Sequence, residues 1–455
     1  MTSIAQWPTD PSGPVAASIR SRSTAPPSAW DGWGKPYVRL FWLACFFPYP
    51  ALSVGGKNGL QLSQAMALVG VLALAARPPG RPFAALLAMI GPLFISSFFN
   101  TLRPGTPEAV AMIKESVALT VALSVIWPAA WLADPGRFRD LLKAAAAATV
   151  AHALLGLYQA YSFTRDEFPL VWLYVNPSFK DMGAWAESYA RYMKRPCGLF
   201  PEPSAMASSL GPWLVVMAGQ LIDPTPGIDL GRRGRFLSAV AVAGGFLLLA
   251  MSRSGSTLAI AAGVGVVGAV KAPGWVRSMG VGKALVGAAL AAGAVGMAYS
   301  VVAQIGSGFD DRIESSWGLR GQSIATGLTA NTEPLSLCFG VGPAQSTPIV
   351  RALMAGVSLP VGQDDFAVWS LAVCYYMETG LVGGLALAAV MAMAARSILR
   401  SSAVALGLGS LGAWVVGVTV TTSYMALSPV WLFLGAVLEW DRIFPRRPRA
   451  EGVTR

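Results

Sequence analysis

The sequence predicts an all-α, polytopic helical membrane protein, with about twelve transmembrane helices and two long extracytoplasmic loops. Three observations predict it. Of 455 residues, 54% are hydrophobic and only 13% are charged, whereas a water-soluble domain carries roughly 25% charged residues. The apolar residues gather in repeated runs of about 20, the length of a helix that crosses a bilayer. Lysine and arginine cluster at alternate ends of those runs, as the positive-inside bias requires.

Taken in order, residues 1–36 are rich in Pro, Ser and Thr and have no apolar core. A disordered cytoplasmic tail without a cleaved signal peptide is expected there. A transmembrane domain over 37–440 follows, with spans at 37–54, 59–76, 82–99, 109–132, 140–163, 203–222, 236–251, 254–271, 281–304, 367–395, 402–421 and 425–440. A basic cytoplasmic tail, 441–455, closes the chain. Arg77 and Arg81, then Arg137, Arg139 and Lys143, then Arg232, Arg233 and Arg235 mark alternate ends. Lys271, Arg277 and Lys283, then Arg396 and Arg400, continue the series, and Arg442, Arg446, Arg447 and Arg449 end it. All fall on one side if both termini are cytoplasmic, and an even number of spans gives the same answer.

The net charge of +11 is then mostly topological bias. The basic residues do not interleave with aromatics on a soluble face, so nucleic acid is not an expected partner. The four cysteines are scattered: Cys45 and Cys374 lie in spans, Cys197 and Cys338 near the outer side. Spacing leaves a disulfide between the last two open. No Cys/His pattern suggests a metal.

This topology places two long connections outside, 164–202 and 305–366. They hold Trp172, Tyr174, Trp185, Tyr189, Tyr192 and Trp317, a composition that argues against disorder. Trp185, Tyr189 and Tyr192 recur at helical spacing, one stripe of an amphipathic helix. That stripe is either an anchor in the lipid headgroups or a stacking surface for sugar rings. Arg195 and Arg253 abut span ends at headgroup depth, where arginine either snorkels or forks onto phosphate oxygens. A charge in the short hairpin around Arg253 is costly unless paired.

Other motifs mislead. "GVGVVG", 263–268, matches a dinucleotide fingerprint but sits in an apolar run with no preceding strand, so close helix packing is the better account. No GxxxxGK[ST] or Asp-x-Asp occurs. His152, the only histidine, lies inside the fifth span, where a hydrogen-bonded structural role is expected. Glu378 and the Lys114/Glu115 pair are intramembrane charges, and such charges are functional candidates by default.

Four pieces now stand in order: "RPCGLFPEPSAMASSL", "LLLAMSRSGSTLAI", "SSWGLRGQSIATGL" followed by "PLSLCFGVGPAQS", and "METGLVGG". Together they resemble the bacterial O-antigen ligase and O-antigen polymerase superfamily over roughly residues 195–384. The resemblance implies a metal-independent glycosyltransferase of the bacterial inner membrane, using no cofactor and acting at the outer face. Its donor would be an undecaprenyl-pyrophosphate-linked oligosaccharide. The polymerase branch would join repeat units into O-antigen, capsule or exopolysaccharide, beside a flippase and a chain-length regulator. The alternatives are a ligase that moves the glycan to a lipopolysaccharide core, and a lipid-linked oligosaccharide flippase.

Arg195, Arg253 and Arg320 match the family's functional arginines. The ligases carry a histidine shortly before the last piece, but "VGQDDFAVWSLAVCYYMETG" has none. Asp364 and Asp365 stand in that region as candidates for the base that takes the acceptor's proton, or as a solvated cap of the next span. Glu202 is expected to orient Arg195. Trp185, Tyr189, Tyr192, Trp317 and Glu378 complete the expected substrate-binding set.

Overall fold

Prolines and glycines set several of the boundaries along a chain that is helical through most of its described length. The computed structural model describes residues 30–49, 51–53, 59–74, 80–102, 109–133, 135–174, 176, 186–187, 189–225, 228–254, 257, 260–265, 267–268, 270, 318–353, 368–421 and 426–446. The first helix, α1 (Trp30–Cys45), begins inside the stretch expected to be a disordered tail. It stops ahead of Pro48, which cannot continue a helix. A two-stranded antiparallel ribbon follows, β1 (Ala51–Ser53) and β2 (Gly59–Gln61), with Ala51 opposite Gln61 and Ser53 opposite Gly59. α2 (Leu62–Leu74) leaves it directly. The expected spans 37–54 and 59–76 are corrected accordingly, because hydropathy alone does not register a ribbon between two apolar helices.

Six helices among the described residues are long and apolar enough to cross a membrane. These are α3 (Arg81–Thr101), the segment Ala109–Leu132 formed by α4 (Ala109–Leu123) and a 3-10 continuation, and α5 (Pro135–Phe163). The others are α6 (Pro203–Ile222), α7 (Gly231–Ser252) and, later in the chain, the helix Leu371–Arg400. They overlie the expected spans 82–99, 109–132, 140–163, 203–222, 236–251 and 367–395. In the expected span 254–271 the described residues from 257 on are helical; span 281–304 lies outside the described residues.

The later elements are α8 (Gly318–Thr329), α9 (Pro334–Phe339), α10 (Ser346–Leu353), α11 (Leu371–Arg400), α12 (Val404–Val416), α13 (Ser428–Leu438) and α14 (Trp440–Ile443). α6 lies in the core: every residue except Leu221 is buried. Its Trp213 ring meets Phe46 and Phe433 edge-on. α5 and α7 run parallel, since Lys143, Thr149 and Gly156 lie against Gly234, Gly245 and Leu248 in rising order. Small residues let helices close in, as "GVGVVG" suggested: a Cβ on Gly263 would lie 2.7 Å from the carbonyl oxygen of Gly409 on α12.

Within the compact unit Phe41–Arg455, early and late segments meet. Ser63 Oγ is 2.7 Å from Ser428 Oγ, and Arg81 Nη1 donates to Asp441 at 3.0 Å. Arg442 pairs with the buried Glu439 at 2.9 Å. Arg81 and the C-terminal basic stretch therefore share one end of the bundle, as the charge alternation required.

Candidate functional site

A single turn, 195–201, is held by one face of α5. Gln159 Oε1 accepts from the backbone amides of Cys197 and Gly198, both at 3.0 Å. Its Nε2 donates to the Gly198 carbonyl at 3.1 Å and to the Tyr174 hydroxyl, which itself donates to the same carbonyl. Two helical turns earlier, His152 Nδ1 accepts from the Leu199 amide at 3.1 Å, while Nε2 lies 2.9 Å from the Phe46 carbonyl oxygen. An amide can give its proton only to an unprotonated nitrogen, so the ring is neutral with the proton on Nε2. Gly198 adopts φ +58, and a Cβ there would sit 2.8 Å from His152 Nδ1. Only glycine fits.

The turn delivers Arg195 to the end of α7. Its Nε donates to the Ser252 carbonyl at 2.7 Å and its Nη2 to the Arg253 carbonyl at 2.8 Å. Helix ends leave such carbonyls without helical partners, so Arg195 acts as the cap. Arg253 adopts the left-handed conformation (φ +50), its amide bonded to Ala250 O at 3.3 Å, and its side chain is exposed. The structure thus brings together two of the three expected arginines. Arg320 lies on α8, with its side chain outside the described residues. Trp185, Trp317, Asp364 and Asp365 lie outside them as well.

Of the expected aromatic stripe, Trp185 lies outside the described residues, and Tyr189 and Tyr192 do not share a face. Residues 189–193 make a π turn, with the Lys194 amide bonded to the Tyr189 carbonyl at 3.1 Å. This wider turn separates positions that an α-helix would align. Tyr189 is buried against Phe163 and Phe168, and its hydroxyl donates to the Arg195 carbonyl at 2.8 Å. Its ring is not a sugar-stacking surface but a support for the arginine. Tyr192 is 64% exposed. Burial raises the Tyr189 and Tyr174 phenols well above their ordinary values and pushes the Cys197 thiol up to about 12. Cys197 and Cys338 are both free thiols, which closes the disulfide question. Glu202 stands at the N-cap position of α6 with an extended backbone and no side-chain bond to the helix amides, and its carboxylate accepts from Ser204 Oγ at 2.5 Å.

Glu378 belongs to a second buried polar group. α11 breaks at Gly380 (φ +65, ψ −158), one turn beyond Tyr376, Met377 and Glu378. Their carbonyls are taken up by other parts of the chain. Asn331 Nδ2 donates to Tyr376 O at 3.4 Å, Val341 N to Met377 O at 2.9 Å and Gly342 N to Glu378 O at 3.2 Å. Ser96 Oγ of α3 also reaches Glu378 O, at 2.6 Å. The Glu378 side chain accepts from Ser346 Oγ at 2.7 Å, at the start of α10. It fastens the loop "GVGPAQS" to the broken helix, and this anchoring is what its contacts show.

His152 fills the hydrogen-bonded structural role expected of it. Gln159, the bonds made by Tyr174 and the break at Gly380 are the parts sequence reasoning passed over. The signal for Gln159 was present: it is spaced i, i+7 from His152 within an otherwise apolar run, hence on one face. Comparison with family models, curated proteins and solved structures gave no match for the chain.

Proposed function

We propose that this chain is a membrane glycan polymerase of the bacterial inner membrane. It joins undecaprenyl-pyrophosphate-linked oligosaccharide repeat units at the outer face, within a frame of about twelve spans. The observation that carries this reading is the capped helix end: Arg195 and Arg253, far apart in sequence, meet where a long apolar helix stops. A lipid pyrophosphate presents its charge at that depth.

The chemistry follows from the donor. The acceptor hydroxyl oxygen attacks the anomeric carbon, the bond from that carbon to the pyrophosphate oxygen breaks, and the hydroxyl proton passes to a base. Charge grows on the departing pyrophosphate. Cations already in place stabilise it more in the transition state than in the ground state. Arg320 is a further candidate cation, and Asp364 or Asp365 the candidate base. Trp317, Trp185, Tyr192 and Glu202 are candidates for holding the glycan. A flippase and a chain-length regulator are the proposed protein partners.

One observation favours polymerase over ligase. The only histidine, His152, has both ring nitrogens engaged, Nδ1 by the Leu199 amide of the turn and Nε2 by the Phe46 carbonyl, so a histidine-dependent transfer has no free imidazole. The test is reconstitution. Purified protein given a synthetic lipid-linked repeat unit is expected to yield longer lipid-linked glycans and release undecaprenyl pyrophosphate. Transfer to a lipopolysaccharide core instead would establish the ligase; movement of the donor across vesicles without any new glycosidic bond would establish the transporter.

A further inference from the structure

We propose that Arg195 acts through Arg253: it is a positioning residue that sets the Arg253 side chain, and Arg253 is the cation that touches the donor's pyrophosphate. This rests on the polymerase reading above and divides the labour within it. Nε and Nη2 form one edge of a guanidinium, the edge with which arginine forks onto two oxygens of a phosphate. In Arg195 that edge already holds two oxygens, the carbonyls of Ser252 and Arg253 at 2.7 and 2.8 Å. It cannot fork onto a phosphate with the same edge.

Everything around Arg195 serves to fix it. Tyr189 holds its carbonyl at 2.8 Å, and Gln159 and His152 hold the three amides that follow Pro196. Arg253 is the reverse case. It occupies a left-handed conformation that residues with a Cβ reach only at a cost, and its side chain is exposed while Arg195 is half-buried. A helix C-terminus carries partial negative charge on its carbonyls. By covering two of them, Arg195 also removes negative charge from the ground an anion would approach.

A double-mutant cycle on ligand binding tests this. The probe is a radiolabelled polyprenyl pyrophosphate without sugar, and the readout is its equilibrium binding to purified protein in detergent. Arg253→Ala is expected to weaken binding by roughly 10- to 100-fold, the value of a charge-assisted bond. Arg195→Ala is expected to weaken it by no more than that. The double variant should bind like Arg253→Ala alone, because a residue acting only through Arg253 has nothing left to act on. Multiplying losses would overturn the proposal, whether they came from direct phosphate contact or from general damage to the fold. If Arg195→Ala does not fold, Arg195→Lys takes its place in the cycle, since a lysine keeps the charge but lacks the fork. Absence of probe binding by the parent protein would overturn the polymerase reading as well, whereas binding with multiplying losses would overturn the positioning role alone.

Discussion

Gly340 and Gly380 meet backbone to backbone: a Cβ on Gly380 would lie 2.4 Å from the amide nitrogen of Gly340, and one on Gly340 would lie 2.3 Å from the carbonyl carbon of Glu378. Both residues have positive φ. Together they let the loop after α9 enter the break in α11 and satisfy its carbonyls.

Gly380→Ala is therefore expected to be severe. The atoms in the way are backbone, which cannot swing aside, and the positive-φ, extended-ψ conformation, essentially open to glycine alone, adds roughly 1–3 kcal/mol of its own. Gly384→Ala, on the same helix, meets only the Tyr376 ring at 3.4 Å and should be tolerated. Thermal melting of the two purified variants in detergent decides the matter; equal melting temperatures would mean the break is not needed.

Gln159→Leu keeps the size of the side chain and removes its polar end. Two buried amides and a carbonyl then lose a partner, at about 1–3 kcal/mol for each group left unsatisfied. The melting temperature is expected to fall by several degrees, and turnover to fall with the displaced Arg195. Gln159→Glu retains an acceptor for both amides and should be the milder change. A Leu variant as stable and as active as the parent would show that the turn holds itself.

The native cysteines report on exposure and sidedness without new mutations. Cys338 is exposed, whereas Cys197 is buried with its thiol pushed up to about 12. The thiolate is the reactive form, so at pH 8 a maleimide should label Cys338 rapidly and Cys197 hardly at all. A membrane-impermeant maleimide should reach Cys338 on intact spheroplasts. Labelling of Cys338 only after lysis would turn the loop 305–366 inward and remove the outer-face mechanism.

Lys194 Nζ is 2.7 Å from Asp166 Oδ1, in an exposed pair that ties the segment before Arg195 to the end of α5. The hydrogen bond and charge of Lys194 hold the Asp166 carboxyl below its ordinary range. A depressed carboxylate contributes stability above its unfolded pKa, near 3.9, and loses it as pH falls through the folded value. The melting difference between the parent and Lys194→Ala should thus be steady from about pH 5 to 8, close below about pH 4, and shrink in high salt. A difference undiminished at the most acidic pH the fold survives would assign it to something other than this pair.

The boundaries of α6 were legible because Pro203 opens an apolar run, and proline is at home in a helix's first turn. The end of α7 at Arg253 was legible for a similar local reason. The bond between Arg195 and that end was not, since it joins residues 57 and 58 positions apart and depends on how α5, α6 and α7 pack. Tyr189 and Tyr192 were misread because helical spacing was assumed where the backbone makes a π turn. The break at Gly380 was invisible to hydropathy, which averages over side chains and carries no information on φ and ψ. Glu378 was visible as a charge in an apolar run, but its anchoring of Ser346 appears only once the loop is folded back.

The break in α11 also constrains the order in which the chain can be made. Ser96 and Asn100 of α3 find their partners at Glu378 and Gly340, 282 and 240 residues later. While the ribosome synthesises the intervening chain, these polar groups sit in a newly inserted helix with nothing but lipid, local backbone or an insertase to receive them. The carbonyls freed at Gly380 are taken up by a loop synthesised before them. Biogenesis therefore ends with a closure between the first third of the protein and the last, and a chain truncated before α11 lacks the Glu378 carbonyl that Ser96 bonds.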